Sequence, residues 1–573
     1  MKIERRRFLR TTLGASLAAG LLPRCGPGAT PSDAGADLAQ PDATGADSEA
    51  DAASDSGVDA IAQDTGALAD GGCLARASEF GPGTGLFRHG VASGDPLTDA
   101  VILWTRVTPP AGVASVEVTY ELSTERTFAT IARAGTLSTT ASRDFTVKVD
   151  ANGLTAGRTY FYRFRAMGET SPIGRTRTAP EGDVSRLRLA LVSCSSYGHG
   201  YFHGYKALSR RADLDAVVHL GDYIYEYATA LDAPCFGGTY GSVRPYDPPH
   251  EIKTLEDYRR RYAHYRRDPD LQDAHRQHPF IAIWDDHEFA DNAHPAGAEN
   301  HSASEGDWAA RVQAAMQAYR EWMPIREQMD GRIYRRMRFG SLVDLVLLDT
   351  RMAGRDPQID RPSSPERTNA MRQLLGAQQE AWLATQIADA GARWKLLGQQ
   401  VMMSDAFAVF PNVDQWDGYP AARQRFFEML ARSSARDVVV LTGDIHSSWA
   451  WSVVPDGATF EPTTGAGAVA VEFVVPAVTS PGFPAAVGPS FAAELRMTKR
   501  NLSYVELVKR GYVVLDITDA RVEAAWFLFD RIDTPTAQTE RVSAVRSVDR
   551  GSSRLREVTT PAEPRADAPP LAP

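Results

Sequence analysis

The chain has 573 residues, of which 43% are hydrophobic and 23% charged. This globular composition is large enough for several domains and excludes a collagen-like or wholly disordered chain. No apolar run of about 18 residues occurs, which excludes a multi-span membrane protein; the net charge of −10 argues against a nucleic-acid binder, and four cysteines are too few for a disulfide scaffold.

The charge is unevenly placed. Residues 1–24 carry six basic groups (Lys2, Arg5, Arg6, Arg7, Arg10, Arg24) and one acid, Glu4, whereas residues 26–72 carry nine Asp, one Glu and no Lys or Arg. In residues 1–25, the run E-R-R-R-F-L-R (Glu4–Arg10) precedes an apolar stretch, Thr11–Leu22, too short to span a membrane permanently. Paired arginines before Phe8-Leu9 resemble a twin-arginine export signal. That implies use of the export machinery for folded proteins and a periplasmic, cell-surface or secreted destination. Cys25 stands where a lipoprotein carries its lipid anchor, although Arg24 replaces the usual small residue before it. Residues 26–73, rich in Ala, Asp, Gly and Ser, cannot bury enough apolar surface to fold and read as a disordered tether reaching about 35–40 Å.

Residues 74–181 read as β. Val101–Trp104 is an apolar run; Val116, Val118, Tyr120 and Leu122 alternate with polar residues, as do Tyr160, Tyr162 and Phe164. Period-two patterns broken by Gly, Pro and Asn predict a sandwich. The stretch Gly153-Leu154…Gly157-Arg-Thr-Tyr160 resembles a fibronectin type III strand with its tyrosine corner. Trp104 reads as a core residue.

From about residue 182 to 530 short apolar strands alternate with helices. The expected strands are Leu187–Val192, Ala216–Leu220, Phe280–Trp284, Leu342–Leu348, Trp394–Leu397, Val438–Leu441, Val471–Val475 and Tyr512–Ile517; helices include Leu255–Tyr265 and Trp308–Trp322. The pattern predicts an α/β fold with its site along the C-terminal strand edge. Residues 531–573, rich in Pro, Arg and Ser, read as a surface extension and a frayed tail.

Four strand ends carry unusual polar residues: L-V-S-C-S-S with Cys194; H-L-G-D-Y-I-Y-E-Y with Asp222 and Tyr225; I-W-D-D-H-E with Asp285, Asp286, His287 and Glu288; and L-T-G-D-I-H-S-S-W with Asp444 and His446. Singly, each reads as a helix cap or core group. Gathered at one sheet edge, as expected here, several carboxylates need cations to compensate them. A phenolate favours a trivalent ion, because free tyrosine titrates near pH ~10, and carboxylates suit Ca²⁺, Mg²⁺ or Mn²⁺. Fe³⁺ beside a hard divalent ion fits this set best; Zn²⁺ sites commonly use more His or Cys.

With F-R-H-G-V-A-S-G-D-P (Phe87–Pro96), V-I-L-W-T-R-V (Val101–Val107), Y-R-R-R-Y-A-H-Y-R-R-D-P (Tyr258–Pro269) and G-Q-Q-V-M-M-S (Gly398–Ser404), these motifs resemble the PhoD-like alkaline phosphatase/phosphodiesterase family, within the calcineurin-like metallophosphoesterases. The resemblance spans about residues 86–530. It implies a metallophosphoesterase β-sandwich flanked by helices, with the small β domain in front. It implies Fe³⁺ held by Cys194, Asp222, Tyr225 and His446, and Ca²⁺ near Asp222, Asp286 and Asp444, with Asp222 bridging. Asn292 is either a ligand of a further Ca²⁺ or a solvated loop residue.

Such a centre would hydrolyse phosphate monoesters or diesters, two cations clamping the phosphate. Asp222 and His287 are the expected catalytic residues, with His287 donating to a phosphate oxygen or the leaving group. Arg311 either reaches phosphate or lies on a solvated helix face. Cys73 and Cys235 either pair after export or remain free thiols. The alternatives are a phospholipase D-like phosphodiesterase and a surface-anchored binding protein whose metal site only stabilises the fold.

Overall fold

The computed structural model describes residues 85–229, 244–409, 411–433 and 435–573. The expectations for the signal, the tether, Cys25, Cys73 and Cys235 lie outside the described residues. Eight strands come first: β1 (Val91–Gly94), β2 (Ala100–Arg106), β3 (Ser115–Ser123), β4 (Arg133–Thr140), β5 (Thr146–Asn152), β6 (Thr159–Ala166), β7 (Glu169–Thr170) and β8 (Gly174–Arg177). Strands and helices then mix: β9 (Arg186–Val192), α1 (His203–Ser209), β10 (Ala216–His219), α2 (Leu255–Tyr265), α3 (Pro269–Gln277), β11 (Pro279–Ala282), α4 (Trp308–Trp322), β12 (Arg335–Phe339), β13 (Val343–Leu347), α5 (Ala377–Ala388), β14 (Trp394–Gln399) and α6 (Pro420–Arg432). The chain continues with β15 (Val438–Thr442), β16 (Ser448–Val453), β17 (Ala470–Val474), α7 (Gly488–Thr498), β18 (Leu502–Glu506), β19 (Arg510–Thr518), β20 (Arg521–Phe529), β21 (Arg541–Asp549) and β22 (Leu555–Val558).

Local sequence explains the helix starts. Thr254 caps α2 in a reciprocal box with Asp257, Asp268 caps α3 with Pro269 at the first helical position, and Asp307 caps α4. The parallel strands β9, β10 and β15 are Val- and Leu-rich and almost wholly buried, as parallel strands between covering layers must be.

Two large sheets form the body. One has the order β22-β21-β20-β19-β9-β10-β11-β1-β2-β5, with β9, β10, β11 and β1 parallel; the other has the order β12-β13-β14-β15-β17-β16-β18, with β13, β14, β15 and β17 parallel. One hydrophobic core joins them, with Leu189 and Leu191 of β9 packed in the same cluster as Leu345, Leu347, Val439, Leu441 and Phe473. Each fully buried aliphatic side chain there contributes about 1.5–3 kcal/mol. A bridge between Ser193 and Ala477 ties the sheets where β9 ends. The result is a mixed α/β fold with large sheets.

Two expectations change. The first eight strands are not separate from the rest: β1, β2 and β5 belong to the ten-stranded sheet through β1–β11 pairing, while β4-β3-β6-β7, with β8 on β6, makes a third sheet; these strands nevertheless share a core of their own, with Val101, Leu103, Val118, Leu122, Tyr162 and Phe164 in one cluster. The local strand pattern could not distinguish these partners. The Tyr160 hydroxyl nevertheless accepts the Thr155 N–H at 2.9 Å, the corner contact that the Gly153–Tyr160 stretch predicts. Trp104 is fully buried and donates from Nε1 to the Glu321 carbonyl.

The second change is at the C-terminus. Residues 531–573 supply β21 and β22 to the ten-stranded sheet, and the segment beyond them is pinned rather than frayed. The Ala562 N–H donates to Glu523, Arg188 donates to the Glu563 carbonyl, and Arg565 pairs with Asp215 at 3.0 Å. Ala572 is buried against Phe128 and Phe161, and the Gln277 side chain both accepts from its N–H and donates to its carbonyl. Composition hid this because the anchors are single residues and backbone groups, with no apolar run.

Candidate metal centre

The chemistry-bearing loops leave the C-terminal ends of β9, β10, β11 and β15. These ends do not share one sheet: three come from the ten-stranded sheet and β15 from the seven-stranded sheet. The expected single edge is thus a seam between two sheets. It closes tightly. At Gly221 (φ 105°) an added Cβ would lie 2.3 Å from the Asp285 Cβ, and at Gly443 it would lie 3.0 Å from the Ser193 Cβ. The glycines in H-L-G-D and L-T-G-D thus let neighbouring loops touch.

The backbone turns sharply just there. Cys194, Asp222, Asn292, Asp444 and His446 all have left-handed φ of 55–61°. Each such non-glycine residue costs on the order of 1–3 kcal/mol and persists only where its surroundings impose it. All five lie in the loops that carry the predicted donors.

Donor atoms of Cys194, Asp222 and His446 lie within 4.8 Å of one another. The Tyr225 hydroxyl donates to Asp222 Oδ2 at 2.7 Å, lies 3.2 Å from His446 Nε2, and accepts from Ser480 Oγ at 2.6 Å. His446 Nδ1 is 2.8 Å from the Pro481 carbonyl. A carbonyl can only accept, so Nδ1 carries the proton and Nε2 is the donor atom facing the group. Burial pushes the Cys194 thiol and the Tyr225 phenol well above their usual ranges, and raises Asp222 to about 6. Positive charge at their focus is what would bring such groups to their anionic, ligating forms.

A second group adjoins the first through Asp222, which lies within 4.8 Å of Asp286 and His287; Asp286 in turn meets Asp285 and Asp444 within the same span. Asn292 is buried, with its N–H donating to Asp286 Oδ2 at 2.6 Å and its amide to Glu299 at 2.5 Å, while Oδ1 has no hydrogen-bond partner. Asp285 Oδ2 is likewise buried without one. Asn292 is therefore not a solvated loop residue. Hard oxygen atoms left unsatisfied beside acids fit a divalent cation site, and the mixed thiol, phenol, imidazole and carboxylate set fits a transition-metal ion.

His287 is held on three sides. Its Nδ1 lies 2.7 Å from Glu226 Oε2, its ring stacks on Tyr225 at 4.2 Å, and Tyr227 meets it edge-on at 5.2 Å. Glu226 Oε1 accepts from Asn300 Nδ2 at 2.7 Å and the Asp291 N–H at 2.8 Å. Burial opposes the imidazolium, but Glu226, Asp286 and Asp222 outweigh it and hold the ring well above its usual range. Arg311 is buried, unlike the solvated alternative; it donates to Glu251 at 2.9 Å and to the Tyr258 hydroxyl at 3.1 Å.

Glu226, Arg351 and Asp414 escaped the sequence reading, as did the contacts of Glu288, which the I-W-D-D-H-E motif singles out. Glu226 sits inside the Y-I-Y-E-Y run beside Tyr225. Glu288 accepts backbone N–H groups from Asp222 (3.0 Å), Tyr223 (2.5 Å) and Asp285 (2.7 Å), so one carboxylate staples two loops; burial raises it to about 8. Arg351, in L-L-D-T-R after β13, penetrates the acid group, and Asp414 pairs with it at 2.8 Å. The signal was available in that strand-end Arg, but at the strand ends only acids, Cys, Tyr and His were weighed as candidates.

A two-sheet frame whose strand ends deliver buried acids, an imidazolium and candidate cation sites to one seam has the equipment of an esterase-type hydrolase. Residues 189–526 match the family model described as PhoD-like phosphatase, and residues 73–180 match that of the PhoD-like phosphatase N-terminal domain. The chain belongs to the PhoD-like phosphatase family and is an enzyme that hydrolyses phosphoric ester bonds. It is 36% identical over 500 residues to alkaline phosphatase D of Bacillus subtilis (strain 168), covering 83% of each chain. It is also similar to the solved structure of PhoD, with a TM-score of 0.76 and 34% identity over 83% of this chain and 93% of that one.

Proposed function

We propose that this is an exported, metal-dependent alkaline phosphatase/phosphodiesterase acting on phosphate monoesters, diesters or both. The observation that carries metal dependence is the convergence of Cys194, Asp222 and His446 within 4.8 Å with the Tyr225 hydroxyl on Asp222. Fe³⁺ would be held by Cys194, Asp222, Tyr225 and His446, and Ca²⁺ or another divalent ion by Asp222, Asp286 and Asp444, with Asn292 adjoining through its N–H on Asp286. Bound cations would supply the positive charge that polarises the phosphoryl oxygens and acidifies water.

The chain's own residues do the rest. Water's oxygen forms a bond to phosphorus as the ester P–O bond breaks, and the leaving oxygen takes a proton. With Nδ1 committed to Glu226, Nε2 of His287 is the ring atom that can give that proton or bind a phosphoryl oxygen. Asp222 joins the two groups and so fixes the spacing at which phosphate is gripped. Arg311, bonded to Tyr258, His301 and Glu251, adds positive charge behind this wall rather than a free phosphate-binding fork.

Export rests on R-R-R-F-L at Arg5–Leu9, and a lipid anchor would attach at Cys25. The test is elemental analysis of the protein recovered outside the cytoplasm, with rates on nitrophenyl phosphate and bis-nitrophenyl phosphate. Stoichiometric iron and a divalent ion with hydrolysis of either ester are expected; active protein free of metal would overturn the reading. Lys in place of Arg5 and Arg6 should retain the protein in the cytoplasm.

A further inference from the structure

Arg351 is fully buried, and no part of the reading above assigns it a task. It leaves β13 beside the acid group, on a firm base: its N–H donates to Asp349 Oδ1 at 2.9 Å, and Asp349 is bracketed by Gln379, which accepts its N–H and donates to its carbonyl, both at 2.8 Å. Its guanidinium then divides its donors among acids from three other loops. Nε donates to Asp285 after β11; Nη1 donates to both Asp414 oxygens at 2.8 and 2.9 Å; Nη2 donates to Asp444 Oδ1 after β15 at 3.0 Å and lies 3.5 Å from Asp286. Asp414 is shared with Arg355, which donates to it at 2.6 Å.

These contacts separate two roles. A phosphate-binding arginine keeps one edge of its fork free for the ester; here Nε, Nη1 and Nη2 are each turned to carboxylates. Asp285, Asp286 and Asp444 also form the candidate cation group. Without an internal positive charge, buried carboxylates this close repel one another or take up protons. A planar fork touching all three fixes their spacing, which a lysine ammonium cannot do from one point.

We propose that Arg351 is a positioning residue: an internal counter-cation, anchored on Asp414, that holds Asp285, Asp286 and Asp444 in a metal-ready array before a divalent ion arrives. The proposal rests on the cation-binding reading of the site. It makes folding of the acid seam independent of the divalent ion, which then adds to a preformed cage.

The test is thermal melting of the full chain after EDTA dialysis, followed by titration with calcium chloride, for wild type, R351K, R351M and R351M/D285N. In EDTA, R351M should melt lower than wild type by on the order of 5 °C, because breaking a buried charge pair strands its partners. Calcium should recover more than half of that loss, giving a larger calcium-dependent shift than wild type shows. R351K should lie between the two. Asp414 keeps Arg355 as a partner when Arg351 is lost, whereas Asp285 does not; replacing Asp285 as well therefore removes one stranded charge and should raise the melting temperature in EDTA above that of R351M. A loss of the same size in EDTA and in saturating calcium, or a double variant less stable than R351M, would overturn the proposal. Should R351M fail to fold even with calcium, R351K decides: a wild-type calcium shift there also overturns it. A wild-type melting temperature indifferent to calcium would overturn the divalent reading together with this one, so the two failures are distinguishable.

Discussion

Replacing Glu226 by Gln tests the orientation of His287 with almost no change in volume. Glu226 accepts on both sides: Oε2 from His287 Nδ1 at 2.7 Å, and Oε1 from Asn300 and the Asp291 N–H at 2.7 and 2.8 Å. A glutamine offers one oxygen and one NH₂, so either the imidazole or the Asn300 side must meet a donor with a donor. A charge-assisted hydrogen bond contributes about 1.5–3 kcal/mol, so a loss of roughly 10–150-fold in kcat/KM is expected. The assay compares nitrophenyl phosphate, whose leaving group needs little protonation, with phenyl phosphate, whose leaving group needs more. If Nε2 of His287 serves the leaving oxygen, E226Q should reduce the phenyl phosphate rate about tenfold more than the nitrophenyl phosphate rate. Equal losses on the two esters would refute proton delivery by His287 and leave it the role of binding a phosphoryl oxygen.

Tyr225→Phe removes the hydroxyl 2.7 Å from Asp222 Oδ2; the visible charge-transfer band expected of iron-loaded protein should vanish, and a band unchanged in the variant would assign the colour to another ligand. Gly221→Ala places a methyl 2.3 Å from the Asp285 Cβ at a φ of 105°, and should cost about 3 kcal/mol or more by denaturant unfolding, with loss of bound metal. Truncation after Val558 removes the pinned segment whose contacts fall at the start of β9 (Arg186, Arg188) and before β11 (Gln277), at the strand ends opposite the centre. It should lower stability by about 3 kcal/mol while leaving kcat within twofold; a collapse of kcat would mean that the segment reaches the seam.

Much was legible in the chain itself, and for definite reasons. The helices α2 and α4 carry strong caps and cover their apolar faces within one segment, so Leu255–Tyr265 and Trp308–Trp322 follow from local chemistry. The parallel strands betray themselves as short Val/Leu runs, and the donor types stand immediately after them. Cys194, Asp222, Tyr225, Asp286, Asp444 and His446 could thus be picked out before any contact was known.

What local sequence cannot carry is partnership between distant segments. Nothing in Val438–Thr442 says that β15 lies in a different sheet from β9, β10 and β11; pairing along the whole chain decides that, and with it a seam in place of an edge. The same holds for Arg351, whose meaning comes from acids 63–93 residues away, and for Glu226, which meets His287 across 61 residues. It holds also for residues 531–573, which bury their backbone against partners as remote as Gln277. Sequence determined which groups could do chemistry; tertiary structure decided their neighbours, because burial and opposing charge depend on who is near, not on who comes next.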